Sequence, residues 1–305
     1  TPITPTLKQT DRRTHARTHA RTHARTMLAN VKEWTLPKEA GGFKVWGFSR
    51  AAHATSFAVP QLDLQLDAGG VVHTHRPKTV CVTHGHSDHA FRLPAFVSRS
   101  QPPDMLVPSP ETAVFAENFL RASQHLTSHE FLSDESYEHN HSFVTVQGAF
   151  CNFHDVTKQV ACTSYPCFHS VPTAGYAFVS KRQKLKREFA GLPGVELASL
   201  RKAGTAITET VRTPLFAFNG DTTPHVFEAW SEQLSQYPVI FTECSFLHEE
   251  QEPHAAKTNH TCWTQLRPVV EQWQDVTFVL THLSLKHKRE ELVNLTQHLP
   301  NVVVW

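Results

Sequence analysis

Short apolar runs alternate with longer amphipathic stretches along most of the chain. The runs at residues 80–82, 215–218, 239–241 and 276–280 have the length and composition of buried strands. Strands are also predicted at residues 45–58, 61–68, 143–146, 162–168 and 176–179. Apolar residues at helical spacing predict helices over residues 109–123, 263–273 and 285–295. Because these elements alternate from Met27 onwards without a linker, we predict one α/β domain over residues 27–305.

Polar side chains of the metal-ligand type follow four of the predicted strands. They are the segment Thr83-His84-Gly85-His86-Ser87-Asp88-His89 and, later in the chain, His169, Asp221 and His282. Open sheets place their active sites at the carboxyl ends of their strands. We therefore expect these side chains to meet at one edge of the fold.

The His-rich segment supplies about half of the ligands that two metal ions would need. His84 and His86 can face one ion while Asp88 and His89 reach a second. A divalent ion takes three or four nitrogen or oxygen ligands, so the three distant side chains would complete the set. The alternative is a His-rich surface loop, which leaves the preceding strand and the distant partners without an explanation.

The composition favours a metalloenzyme and excludes two other classes. The chain has 22 His against only 2 Met and 4 Tyr, and histidine is the commonest metal ligand. A net charge of +1 argues against a basic coat on nucleic acid. No run approaches the roughly 20 apolar residues of a membrane-spanning helix. The 6 cysteines form no CxxC pair and indicate reduced thiols of an intracellular protein. We expect a cytoplasmic or nuclear location.

Residues 1–26 differ in composition from the rest of the chain. They contain six basic residues and one acidic residue, and the tetrapeptide THAR occurs three times in succession. We predict a disordered low-complexity tail. The tail is either an organelle transit peptide, which would make the protein organellar, or a translated simple repeat before a true start at Met27.

The motifs resemble those of a known superfamily. Residues 83–89, together with the three distant ligands, are similar to the metal-binding motifs of the metallo-β-lactamase fold superfamily. Within it, the chain is most similar to the short form of ribonuclease Z, the transfer-RNA 3′-processing endonuclease. That narrower resemblance rests on Leu66-Asp67-Ala68-Gly69, Gly191-Leu192-Pro193-Gly194-Val195-Glu196-Leu197, Thr242-Glu243-Cys244-Ser245-Phe246 and His260-Thr261. It implies a four-layer αββα sandwich.

The resemblance also assigns a metal ligand set. It implies two Zn²⁺ ions, or Mn²⁺ or another divalent metal. The ligands would be His84, His86 and His169 at the first position, Asp88, His89 and His282 at the second, and Asp221 as a bridge between them. Two such ions make hydroxide available near neutral pH for attack on phosphorus.

Three catalytic residues follow from the same resemblance. Asp88 would orient the attacking water, His260 would protonate the departing 3′-oxygen, and Glu243 would hold the His260 imidazole in place. Asp67 would orient ligand histidines through hydrogen bonds. The implied activity is removal of 3′ trailers from transfer-RNA precursors.

Several alternatives stay open at this point. A hydrolase of the same fold could act on a small phosphodiester, such as a cyclic nucleotide, or on a thioester, and a non-catalytic scaffold is a weaker option. The basic run at residues 181–187 either contacts RNA phosphates or forms a solvated face. Residues 27–305 carry 23 basic and 27 acidic residues, so RNA binding needs such a local patch. We expect an RNA partner, no membrane, and either a monomer or a homodimer.

Overall fold

A computed structural model describes residues 30–97, 102–133, 137, 141–146 and 148–305. The first half of the chain forms a seven-stranded sheet in which the strands lie side by side in chain order. Strands β1 to β4 are antiparallel and β4 to β7 are parallel. Their bounds are β1 Lys32–Thr35, β2 Lys44–Arg50, β3 Ala54–Val59, β4 Leu64–Leu66, β5 Thr79–Cys81, β6 Asp104–Val107 and β7 Ser142–Thr145.

The second half forms another seven-stranded sheet, again with neighbours in chain order. Strands β8 to β11 are antiparallel, and β11 to β14 are parallel. Their bounds are β8 His154–Asp155, β9 Val160–Cys167, β10 Thr173–Leu185, β11 Thr208–Phe218, β12 Val239–Glu243, β13 Thr277–Thr281 and β14 Val302–Val304.

Most of the helices pack on the outer faces of the two sheets. Their bounds are α1 Ser87–Ala90, α2 Pro94–Val97, α3 Pro110–Ser128, α4 Gly194–Lys202, α5 His225–Ala229, α6 Ser231–Leu234, α7 Glu252–Thr258, α8 Trp263–Gln272 and α9 Arg289–Thr296. Within the described ranges, 3₁₀ turns lie at Lys38–Ala40, Pro60–Leu62, Arg187–Phe189 and Glu249–Gln251.

The period-two alternation of strand side chains divides the core into layers. Phe216 and Phe218 point between the two sheets, whereas Ala217 packs under the outer helices. On the first sheet, Leu106 faces the second sheet and Met105 faces the outer helices. The apolar side chains therefore form three layers between four layers of secondary structure. This confirms the predicted αββα sandwich.

Tyr176 ties the two sheets together beneath the His-rich segment. It is fully buried in β10, and its hydroxyl donates to the carbonyl oxygens of Val82 at 2.8 Å and Leu106 at 3.0 Å. A buried phenol needs such a partner. The bond fixes the end of β5, from which the His-rich segment starts.

Several predicted elements differ from the structure. Of the strand predicted at residues 61–68, only Leu64–Leu66 is a strand, because a 3₁₀ turn occupies Pro60–Leu62. Residues 45–58 form two strands, not one, because the chain reverses at residues 51–53, where Ala52 adopts a left-handed backbone conformation with a φ of 57°. The strand predicted at residues 176–179 runs from Thr173 to Leu185. The basic run therefore lies largely within a strand, whose outer half pairs with β11 from Lys181 opposite Arg212 to Leu185 opposite Thr208. This largely exposed hairpin carries α4 at its connection and forms an arm.

The tail predicted at residues 1–26 lies outside the described residues, and the domain boundaries stay a prediction. Among the described residues, we find no helix of the length and apolar character needed to span a membrane.

Candidate metal centre

The His-rich segment leaves β5 and turns directly into helix α1. His86 is the residue before the helix, and Ser87 is its first residue. The turn is held from below by Asp67, whose carboxylate accepts hydrogen bonds from the backbone N–H of Thr83 at 2.7 Å and from its hydroxyl at 2.9 Å. Gly69 is needed beside it, because a Cβ there would lie 1.8 Å from the carbonyl oxygen of Asp88. The sequence around Asp67 thus shapes the segment that carries four of the seven candidate ligands.

Three imidazoles converge at the first position. Nδ1 of His86 lies 3.1 Å from Nε2 of His84 and 3.2 Å from Nε2 of His169. Two nitrogens bound to one zinc ion at about 2.0–2.1 Å with tetrahedral angles are about 3.3 Å apart. These nitrogens therefore have the spacing of a shared metal ion. Burial lowers the pKa of His84 well below its usual value, which keeps the imidazole neutral as a ligand requires.

A second group of three forms next to the first. Nε2 of His282 lies 3.3 Å from Nε2 of His89 and 3.3 Å from Oδ2 of Asp88. His89 is fully buried, and His282 is nearly so. His282 has a left-handed backbone conformation with a φ of 56°, which turns its side chain off the end of β13.

Asp221 lies between the two groups. One of its oxygens is 3.8 Å from Nε2 of His84 and 3.3 Å from Nε2 of His282, and the other is 3.3 Å from Nε2 of His89. Burial alone would raise its pKa, but the nearby imidazoles of His282 and His89 bring it well below the usual value. Its Oδ1 is buried, and apart from Nε2 of His89 at 3.3 Å it has no hydrogen-bond donor among the described residues. An ionised carboxylate that faces several imidazoles in this way fits a divalent cation.

Hydrogen bonds behind the imidazoles fix their orientation. Nδ1 of His89 lies 2.7 Å from the Asp67 carboxylate, and Nδ1 of His169 donates to the carbonyl oxygen of Asn259 at 2.9 Å. In both rings, this bond leaves Nε2 free to face the cluster. Partners of this kind commonly raise metal affinity by fixing the tautomer.

Glu243 and His260 form a pair at the edge of the cluster. Oε1 of Glu243 lies 2.8 Å from Nδ1 of His260, and the carboxylate also accepts from the backbone N–H of Thr222 at 2.8 Å and from the Ser245 hydroxyl at 2.6 Å. Burial lowers the pKa of His260, but the Glu243 and Asp221 carboxylates outweigh it and raise the pKa to about 9. His260 is thus an imidazolium near neutral pH. Glu243 bonds its Nδ1, so the N–H at Nε2 is not bonded to that carboxylate.

Comparisons with known proteins support the assignment of the fold. The model of the metallo-beta-lactamase superfamily matches residues 75–149, which include the His-rich segment. A curated relative, tRNase Z TRZ2, chloroplastic, from Arabidopsis thaliana, is 27% identical over 262 residues, 83% of this chain and 71% of the relative. Another, tRNase Z TRZ1 from the same plant, is 26% identical over 267 residues, 85% of this chain and 91% of the relative.

A solved structure shares the fold. Human tRNase Z, short form, superposes with a TM-score of 0.54 at 15% identity, covering 86% of this chain and 95% of that chain. The chain has the metallo-β-lactamase fold. As a metallo-β-lactamase-fold protein with relatives of this kind, it is a metal-dependent hydrolase. The resemblance predicted from the sequence is confirmed.

The structure brings together all seven candidate ligands, and it places His260 and Glu243 beside them. Their individual roles stay predictions. The sequence interpretation missed Ser245, whose hydroxyl lies 3.1 Å from Nδ1 of His282 and so links Glu243 to a candidate ligand. A signal existed, because residues two apart after a strand can share a face. It also missed Ala52, whose backbone N–H donates to Asp88 at 2.8 Å across the unpredicted turn.

Proposed function

We propose that this metallo-β-lactamase-fold protein is an endoribonuclease that removes 3′ trailers from transfer-RNA precursors. The observation that carries the proposal is the Glu243–His260 pair beside the cluster, since hydrolysis of RNA needs a proton donor for a poor leaving group. Its similarity to two tRNase Z proteins supports the choice of substrate.

Two divalent ions would be held by the ligand set derived above, with zinc as the expected metal. His84, His86 and His169 would hold the first ion, and Asp221 would bridge to the second. When bound, such ions act as Lewis acids and lower the pKa of water to near neutrality. The nitrogen-rich first group suits Zn²⁺, whereas Mn²⁺ prefers more oxygen ligands.

The chain's own residues would orient the nucleophile and move the proton. Oδ2 of Asp88 is fixed by the backbone N–H of Ala52, so the carboxylate can accept a hydrogen bond from the attacking water in a defined direction. As the new phosphorus–oxygen bond forms, the bond to the ribose 3′-oxygen breaks. Nε2 of His260 would give its proton to that oxygen, which leaves as a hydroxyl, while Glu243 stabilises the charged imidazole before the transfer.

The arm would guide the RNA. Alternation along β10 places Arg182 and Lys184 on one face, and both are exposed. Lys181 is on the opposite face and pairs with Asp155, so its charge is partly neutralised. The first face is therefore the part of the basic run that is free to contact phosphates.

The direct test is incubation of zinc-loaded protein with a 3′-extended transfer-RNA precursor. We expect cleavage at the 3′ end of the transfer RNA, with a 3′-hydroxyl on the product and a 5′-phosphate on the trailer. Intact precursor, in a preparation that hydrolyses a nitrophenyl phosphodiester, would exclude this substrate while leaving the hydrolase assignment in place.

A second candidate is a hydrolase of a small phosphodiester or thioester. A cavity of about 410 Å³ adjoins the cluster at His86 and is lined mainly by apolar side chains, including Phe91, Phe115 and Val171. Such a cavity suits the apolar part of a small ligand. Faster turnover of a cyclic nucleotide or a thioester than of precursor RNA would favour it.

An organellar location is a further prediction. One relative is chloroplastic by its name, and residues 1–26 have an Arg- and Thr-rich composition. Fluorescent fusions with and without those residues would test it, and identical distributions would contradict a targeting role.

A further inference from the structure

A second cavity, also of about 410 Å³, lies beside the loop that follows β13 and carries His282, and several cationic side chains line it. Lys32, Arg50 and Arg289 line it together with His53, and no Asp or Glu is among its lining residues. Glu290 lies close enough to influence the cavity's charges, but among the described residues Lys32 and Arg50 form no ion pair with a carboxylate. The lining therefore has a positive charge that the protein does not balance by direct pairing.

Three hydrogen-bond donors of this lining are buried without acceptors. They are Nζ of Lys32, Nε of Arg50 and Nε1 of Trp305, none of which has a partner among the described residues. Trp305 is only 9% exposed. Buried donors are normally satisfied, so each unsatisfied one calls for an explanation. An oxygen-rich anion would satisfy all three.

The lowered pKa of Lys32 is what a half-buried ammonium group without a paired carboxylate should show. Burial lowers this pKa most, and Arg289 lowers it further, so that it falls to about 8 although Glu290 acts in the opposite direction. A bound anion would reverse this effect. The protein thus keeps an ammonium group in a place that destabilises its charged form.

The cavity shares a wall with the loop that carries His282. Ser49 lines the cavity, and its hydroxyl accepts a hydrogen bond from the backbone N–H of His282 at 3.0 Å. Arg50 donates to the carbonyl oxygens of Ser284 and His287, both at 2.9 Å, and so holds the same loop. An anion in the cavity would lie one layer of residues away from a candidate metal ligand.

We propose that this cavity binds a phosphate group through Lys32, Nε of Arg50 and the indole N–H of Trp305, with Arg289 at its rim. The source of the phosphate is either the backbone of the RNA substrate, near the bond that is cut, or free inorganic phosphate. The first source rests on the proposed function, whereas the site itself does not.

Inorganic phosphate and thermal unfolding of the zinc-loaded protein test the site. Lys32→Gln is compared with Lys44→Gln on the neighbouring strand, whose ammonium pairs with Glu33 at 2.7 Å outside the cavity. We expect phosphate to raise the melting temperature of wild type and Lys44→Gln more than that of Lys32→Gln. Without phosphate, Lys32→Gln should melt no lower than wild type, because it removes an unpaired buried charge. If Lys32 had only a structural role, its replacement would instead lower the melting temperature. Arg289→Ala, at the exposed rim, provides a second variant.

RNA kinetics identify the source of the phosphate. If the RNA backbone supplies it, Lys32→Gln raises KM for precursor RNA by about tenfold, the loss of one charge-assisted hydrogen bond, with little change in kcat or in nitrophenyl phosphodiester turnover. If KM is unchanged but the phosphate effect is lost, the site stands and binds free phosphate. If wild type, Lys32→Gln and Arg289→Ala respond alike to phosphate and to RNA, the site does not exist. A chain that cleaves no RNA would contradict the proposed function, yet the thermal titration would still decide the site.

Discussion

Replacing His260 with alanine tests the proposed proton donor. Its Nδ1 is held 2.8 Å from the Glu243 carboxylate, so Nε2 is the atom available for donation. With a pKa raised to about 9 by Glu243 and Asp221, the imidazole is protonated at neutral pH, and bound cations would bring the pKa closer to neutrality. We expect RNA cleavage to slow by roughly 10²–10⁴-fold, which corresponds to about 2.7–5.4 kcal/mol of transition-state stabilisation.

The leaving group distinguishes proton donation from other roles. Ribose alkoxide needs a proton, whereas nitrophenolate leaves readily without one, so His260→Ala should lose far less on a nitrophenyl phosphodiester. Because the acid form is required, wild-type cleavage of RNA should fall as the pH rises through the pKa of His260. The variant should lack this fall.

The assay compares single-turnover rates on both substrates with zinc content measured in parallel. His254→Ala is the matched control. His254 is an exposed imidazole in α7, six residues before His260, and it contacts Phe246. Glu243→Gln should repeat the His260→Ala pattern more mildly. If His260→Ala loses a metal ion, or slows both substrates alike, the reasoning is refuted.

Three further predictions concern the centre and the arm. The protein should contain about two zinc equivalents by elemental analysis, and His86→Ala should lose metal and activity while its circular dichroism stays native; an active metal-free preparation would contradict this. Asp67→Ala should lower the free energy of unfolding by about 1–3 kcal/mol, because it leaves a buried N–H unsatisfied, and denaturant titration measures this loss. Asp67→Asn should mainly lower metal affinity, by about 10–100-fold, and competition with a chelator measures that effect. Alanine at both Arg182 and Lys184 should weaken RNA binding and flatten its salt dependence while Lys181→Ala does so less, and equal losses on a nitrophenyl phosphodiester would show that this face is structural.

The strands that carry the candidate ligands were predicted well, because each short apolar run is followed by polar side chains of the metal-ligand type. Strand β5, Thr79–Cys81, is short and buried and ends three residues before His84, so the position of His84 depends mainly on where the strand stops. Asp221 and His282 are similarly placed by the ends of β11 and β13. These features follow from burial and from the period of a strand.

The turn at residues 51–53 could not be predicted in the same way. Ala52 takes a left-handed backbone that glycine or asparagine would usually announce. Its N–H bonds to Asp88, 36 residues later, so tertiary contacts determine the reversal. The outer half of β10 was missed because its side chains are mostly exposed and lack an apolar pattern, although its backbone pairs with β11. Ser245 was missed although it lies two residues after Glu243, because its link to the centre runs through His282, 37 residues away.

The origin of the ligands in both halves of the chain has a consequence for biosynthesis. Nε2 of His89 faces Nε2 of His282 across a sequence separation of 193 residues, so closing this contact carries the loop entropy of most of the polypeptide. During synthesis, the imidazoles near residue 84 emerge long before their partners and cannot form the complete centre. Metal uptake should therefore be a late event that follows docking of the two sheets, and the binding free energy then stabilises the finished topology. A nascent chain stalled before residue 282 should retain less zinc than the completed one, however well its first sheet has formed.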